Sequence, residues 1–168
     1  MNTGKPKALN SKVSPMPASS IQQLTNQLKS VYEDDAWYGP NIMQVLGTLP
    51  KEQRLNQLEG SHSIAELLQH IIAWRRFAIK KLNGEEEYEV ADSDNFPETE
   101  TIDDPTWQHW LDELNDTQEH LINLLEGAED ELLEEQVPGK KYNFDALLHG
   151  VIHHDIYHLG QIVLLMKM

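Results

Sequence analysis

The sequence predicts an all-α protein, a four-helix bundle with a long acidic loop between its second and third helices. Three observations predict it. Apolar residues recur at intervals of three and four in four separate stretches, and each stretch opens or closes on a capping signal. No stretch alternates apolar and polar residues as a half-buried strand would. Four amphipathic helices with one long connection form a bundle by burying their apolar stripes against one another.

The first helix is expected over Ser20 to Leu49, with a break. Ser20-Ile21-Gln22-Gln23 has the form of a capping box, and Ile21, Leu24, Leu28, Val31 and Tyr32 follow at helical spacing. Gly39-Pro40 interrupts the helix because proline has no N–H to donate; Ile42, Val45, Leu46 and Leu49 then resume the stripe. Residues 1–19, rich in Lys, Pro, Ser and Asn, read as a disordered leader before a domain spanning 20–168. Lys51 to Gly60 reads as a polar connector.

The second helix has the clearest boundaries. Ser63-Ile64-Ala65-Glu66 is another capping box, Leu67, Leu68, Ile71, Ile72, Phe77 and Leu82 form the stripe, and Asn83-Gly84 ends it. Glu85 to Asp104 holds ten acidic residues and no Lys or Arg, the composition of a lid or a solvated excursion, with Phe96-Pro97 as its one anchor. The third helix is expected from Asp104-Pro105, with Asp104 as cap, through Trp107, Leu111, Leu114, Leu121 and Leu125 to Gly127. Asn143 caps a fourth helix that runs to the C-terminus.

Composition narrows the function. A formal charge of −15, from 13 Lys+Arg against 28 Asp+Glu, opposes binding to nucleic-acid phosphates. The absence of cysteine excludes disulfides and a protein thiol nucleophile, and suits a reducing, cytoplasmic location. No apolar run is long enough to span a membrane.

The chemistry-bearing residues gather on the fourth helix, which offers two His-x-x-x-His pairs, His149/His153 and His154/His158. With Val151 at zero and about 100° per residue, His158 falls near −20° and His154 near −60°, inside the apolar arc. His149 and His153 fall about 160° away, on the solvent face. Gln161 stands beside the inward pair, and Asp155 projects inward near +40°. Two inward imidazoles at i,i+4 suit a divalent metal, though spacing alone also admits a hydrogen-bonded core pair or a metal-free acid/base site. On the second helix His70 lies at the edge of the apolar arc, between Trp74 and Phe77, which makes it the candidate third ligand. His109 and His120 fall on the polar flank of the third helix, and His62 precedes the second. His154-Asp155-Ile156-Tyr157-His158 lacks the downstream ligand that a zincin needs, and no two helices carry the Glu-x-x-His motifs of the di-iron type.

Ser63-Ile64-Ala65-Glu66-Leu67-Leu68-Gln69-His70 with Trp74, followed by His154-x-x-x-His158-x-Gly160-Gln161-Ile162, resembles the DinB-like superfamily. That superfamily takes in YfiT-type proteins regarded as metal-dependent hydrolases, and bacterial transferases of low-molecular-weight thiols. Trp37-Tyr38-Gly39-Pro40 is also similar to a segment found in part of the family. The resemblance implies a bundle in which His70, His154 and His158 hold one divalent metal, zinc or nickel. It further implies a small-molecule substrate, a homodimer, and either thiol transfer or hydrolysis.

Three neutral imidazoles leave a coordination position open, the pattern of a catalytic rather than a structural site. Asp155 and Gln161 are candidates to orient ligands or solvent. Trp37, Tyr38 and Trp74 are candidates to line the pocket. The competing expectation is a helical bundle that binds a metal or ligand without turnover.

Overall fold

The computed structural model describes residues 19–168, so the leader expected over residues 1–19 lies outside the described residues except for Ser19. Six α-helices follow in order: α1 (Ser20–Tyr32), α2 (Ile42–Leu46), α3 (Ile64–Leu82), α4 (Asp92–Asn95), α5 (Asp104–Glu126) and α6 (Phe144–Leu165). Single 3-10 turns occur at Lys51–Gln53 and Asp130–Glu134. Among the described residues the only β pairing is an isolated antiparallel bridge between Gln136 and Asn143.

The four long helices form the bundle. α1 and α3 each pack against both α5 and α6, so the order around the bundle is α1, α5, α3, α6. Each helix turns its apolar stripe inward: Leu28, Ile64, Leu68, Ile71, Leu114, Leu121, Leu148 and Ile162 are wholly removed from solvent. Burial of such side chains contributes about 1.5–3 kcal/mol each before conformational entropy is set against it.

Caps fix where the helices begin. Ser63 and Glu66 make the reciprocal capping box expected for α3 (Glu66 N to Ser63 Oγ 3.3 Å, Ser63 N to Glu66 Oε2 2.8 Å). Asn143 caps α6 through Ala146 N at 3.0 Å. Two caps lie one residue before the positions the sequence suggests. Ser19, not Ser20, accepts from Gln22 N, because the Ser20 and Ile21 amides are taken by the Asp130 carboxylate. Asp103, not Asp104, caps α5 through Thr106 N, because Asp104 is engaged by Arg54 at 2.8 Å. The break after α1 covers residues 33–41 rather than Gly39-Pro40 alone, and Asn41 restarts the chain with its own capping box to Gln44.

The acidic segment between α3 and α5 is tied down at several points. Lys81, fully buried, donates to the carbonyls of Glu85 (3.1 Å) and Glu86 (2.6 Å). Gly139 has φ +73°, and a Cβ there would meet Glu86 O at 2.8 Å, so this close approach of two backbones requires glycine. Lys140 pairs with Glu89 at 2.6 Å, and Gln69 reaches Thr99 at 3.0 Å. The loop therefore returns over α3, and its middle reaches the histidines.

Candidate metal centre

α3 contributes His70 and α6 contributes His154 and His158, whose side chains converge between the two helices. His154 Nε2 lies 2.9 Å from His70 Nε2 and 3.1 Å from His158 Nε2. One nitrogen from each ring lies within 4.8 Å of the other two, a spacing that could hold a metal ion. His70 and His158 are buried, and His154 is partly so.

The outer nitrogens settle which protons are present. His70 Nδ1 is 2.7 Å from the Asn95 carbonyl oxygen, and His158 Nδ1 is 2.6 Å from Gln161 Oε1. A carbonyl only accepts, so both Nδ1 atoms carry hydrogen and both Nε2 atoms point bare lone pairs at His154. His154 Nε2 can donate at most one hydrogen, which leaves at least one of those two lone pairs without a donor. A cation among the three nitrogens removes that conflict, so the donor set fits a metal ion.

Electrostatics agrees. Burial, followed by the neighbouring His154 and His158, lowers the His70 pKa to about 4 against a supporting hydrogen bond to Asn95. Burial and His154 also push His158 down. Both rings are neutral near pH 7, the form that ligates a metal.

Three groups hold the rings from behind. Phe96 stacks on His70 (centroids 3.9 Å, planes 6° apart) and on its other face stacks on His62 (3.6 Å, 1°). Asn95 accepts from Trp74 Nε1 through its side chain (3.0 Å) while its backbone oxygen takes His70. Asp155, fully buried, receives Arg75 Nε (3.0 Å) and Nη2 (2.7 Å) on Oδ2, and Arg75 Nη1 continues to Gln118 at 2.8 Å. Among the described residues Asp155 Oδ1 has no hydrogen-bond partner, and it lies 3.9 Å from His154 Nδ1.

A match to a family model then places the chain. A model of the DinB superfamily matches residues 39–162, well over half of the 168 residues. The chain belongs to the DinB superfamily. Neither the curated proteins nor the solved structures contain a significant match. The span matched to the DinB superfamily holds all three histidines, Asp155 and Gln161, and begins after Trp37 and Tyr38.

Two cavities that share no lining residue reach the centre. One, of about 540 Å³, meets His70, His154 and Asp155 and runs out between Trp74 and Tyr142. The other, of about 480 Å³, meets His158 and Gln161 and is bordered by His62, Ser61 and Tyr157. Trp74 lines the first. Trp37 does not: its ring is 96% exposed, because the segment between α1 and α2 carries it away from the bundle. Tyr38 borders neither cavity and is partly exposed; burial and the Asp155 charge raise its pKa.

His149 and His153 stack on each other at 6.0 Å on the outside of α6, where the helical projection puts them. His109 and His120 are exposed. Sequence reasoning passed over Arg75 and Asn95. Arg75 carried a readable signal, since the projection that turns Asp155 inward also places Arg75 about 40° from Ile71, inside the α3 stripe. Asn95 carried none.

Proposed function

We propose that this DinB superfamily chain is a divalent-metal-dependent enzyme that transfers a small thiol to an apolar electrophile. His70, His154 and His158 hold the ion, zinc or nickel. The observation that carries the metal assignment is the convergence of three Nε2 atoms, two of them made bare acceptors by Nδ1 hydrogen bonds. A divalent ion held there supplies a Lewis acid able to ionise a thiol near neutral pH.

The remaining roles belong to the chain. Asn95 O and Gln161 Oε1 orient two of the rings, and Asp155 Oδ1 lies 3.9 Å from Nδ1 of the third. The thiol must be a cosubstrate, since the chain has no cysteine. In the transfer an S–C bond forms, the leaving group departs with its electron pair, and the thiol proton passes to solvent. Two separate cavities at one centre support transfer between two molecules over hydrolysis. Hydrolysis also wants a base to orient water, and among the described residues the one carboxylate bordering either cavity, Asp155, is paired with Arg75 through Oδ2 while its Oδ1 lies beside His154 Nδ1.

The test is elemental analysis of protein purified without a histidine tag, followed by conjugation of 2-mercaptoethanol or cysteine to 1-chloro-2,4-dinitrobenzene. One equivalent of zinc or nickel is expected, lost in His154→Ala, with turnover at least about a hundredfold above the His70→Ala variant. Metal without turnover would reduce the chain to a binding bundle. Absence of metal would overturn the reading altogether.

A further inference from the structure

The larger cavity has a definite shape. Its floor is a row on α6 one turn apart, Ala146, Gly150 and His154, so it runs about 12 Å along the helix and ends at the metal centre. Gly150 stands mid-helix, where glycine costs about 1 kcal/mol relative to alanine. Close packing does not explain it, since a Cβ there would meet nothing within 4 Å. The glycine leaves that length of floor open.

The walls are aromatic and fixed. Trp74 and Phe77 meet at 5.4 Å with planes 60° apart. The Trp74 indole is pinned to Asn95 at 3.0 Å, and Phe77 is flanked by the Lys81 and Lys140 ammoniums, each 5.3 Å from its centroid. Tyr142 stands at the outer mouth.

Charge at the inner end is already spent. Among the described residues Arg75 is the only lysine or arginine bordering the cavity, and it donates to Asp155 and Gln118. What remains unspent is an acceptor, Asp155 Oδ1. Without the metal ion, no cationic side chain among the described residues bordering the cavity is left to neutralise a phosphate, sulfonate or carboxylate, and the chain's charge of −15 repels one further.

From these features we infer that the trough along α6 binds a flat, uncharged aromatic molecule up to about 12 Å long, lying between Trp74 and the Ala146–Gly150 floor with one end at the metal centre. The inference rests on the proposed function in treating that molecule as the electrophile, but its binding is independent of the metal.

A matched pair of fluorescent probes tests it: neutral N-phenyl-1-naphthylamine and its sulfonated analogue 8-anilinonaphthalene-1-sulfonate. Each is titrated into cobalt-loaded and metal-free protein. The neutral probe is expected to bind at least tenfold tighter than the anion in the metal-free form, where no cation stands at the inner end, and to bind the cobalt-loaded form as well. Gly150→Leu, which fills the floor, should weaken it at least tenfold, and Ala146→Leu should do so at the outer end. Both variants should leave the cobalt absorption unchanged, and neither should lower the melting temperature, since leucine replaces glycine mid-helix without a clash. Equal binding of the two probes to the metal-free protein, or neutral binding untouched by both substitutions, would overturn the inference. Failure to take up cobalt would sink the metal centre alone, because the metal-free titration still reads the trough.

Discussion

His70 shows how one residue is set by everything around it. Its ring is neutral because it is buried, oriented because Asn95 O takes its Nδ1 hydrogen, and flat against Phe96. Its folded pKa of about 4 lies below the ordinary 6.5. Between those values the unfolded chain binds a proton that the folded chain refuses, so stability is full above pH 6.5 and falls as pH drops toward 4. His158 acts in the same direction. Urea midpoints of metal-free protein should therefore decline from pH 7 to pH 5, a range that leaves the acidic groups largely ionised. His70→Ala should show a shallower decline over the same range. The sequence revealed His70, His154 and His158 through helical projection, because an i,i+4 pair has a definite azimuth on its helix. Asn95 was not readable, since its role comes from a backbone oxygen placed by a loop whose course no periodicity encodes.

Among elements, α3 and α6 are joined to the rest of the bundle by a buried polar chain. Asp155 on α6 holds Arg75 on α3, Arg75 holds Gln118 on α5, and Gln118 Nε2 donates to Leu28 O on α1 at 3.4 Å. Asp155→Asn leaves the guanidinium short of its counter-charge and should cost about 3–5 kcal/mol in urea unfolding of the metal-free protein. The double variant Arg75→Met/Asp155→Leu removes both charges and should recover at least half of that loss. The acidic loop is the second element with an unexpected part. Phe96, its sequence-predicted anchor, lies between His62 and His70, so the loop braces the centre. Phe96→Ala should weaken metal affinity by about 10- to 100-fold, read by competition with a chromogenic chelator, and raise amide exchange across residues 92–99. The helices themselves were legible because Ser63, Glu66, Asn143 and the leucine stripes each speak for local structure. The caps at Ser19 and Asp103 were not, because Asp130 and Arg54 compete for their neighbours from distant positions.

For the whole molecule, the bundle's value is that it brings two helices with unrelated sequence positions to one point. No transmembrane-length apolar helix occurs among the described residues, and the four long helices turn their apolar surface on one another. The family match begins at residue 39, so α1 lies outside it, yet α1 closes the bundle with Leu24, Leu28, Val31 and Tyr32, all buried.

The spacing of the three histidines along the chain carries a kinetic meaning. His154 and His158 are four residues apart and can chelate an ion as soon as one helix forms, whereas His70 lies 84 residues upstream of His154. Closing so long a loop has an entropic cost that an ion already held on α6 helps to offset, by rewarding the arrival of the last imidazole. An ion bound this way would act as a late clasp on the folding chain, and its full coordination would signal that α3 has docked.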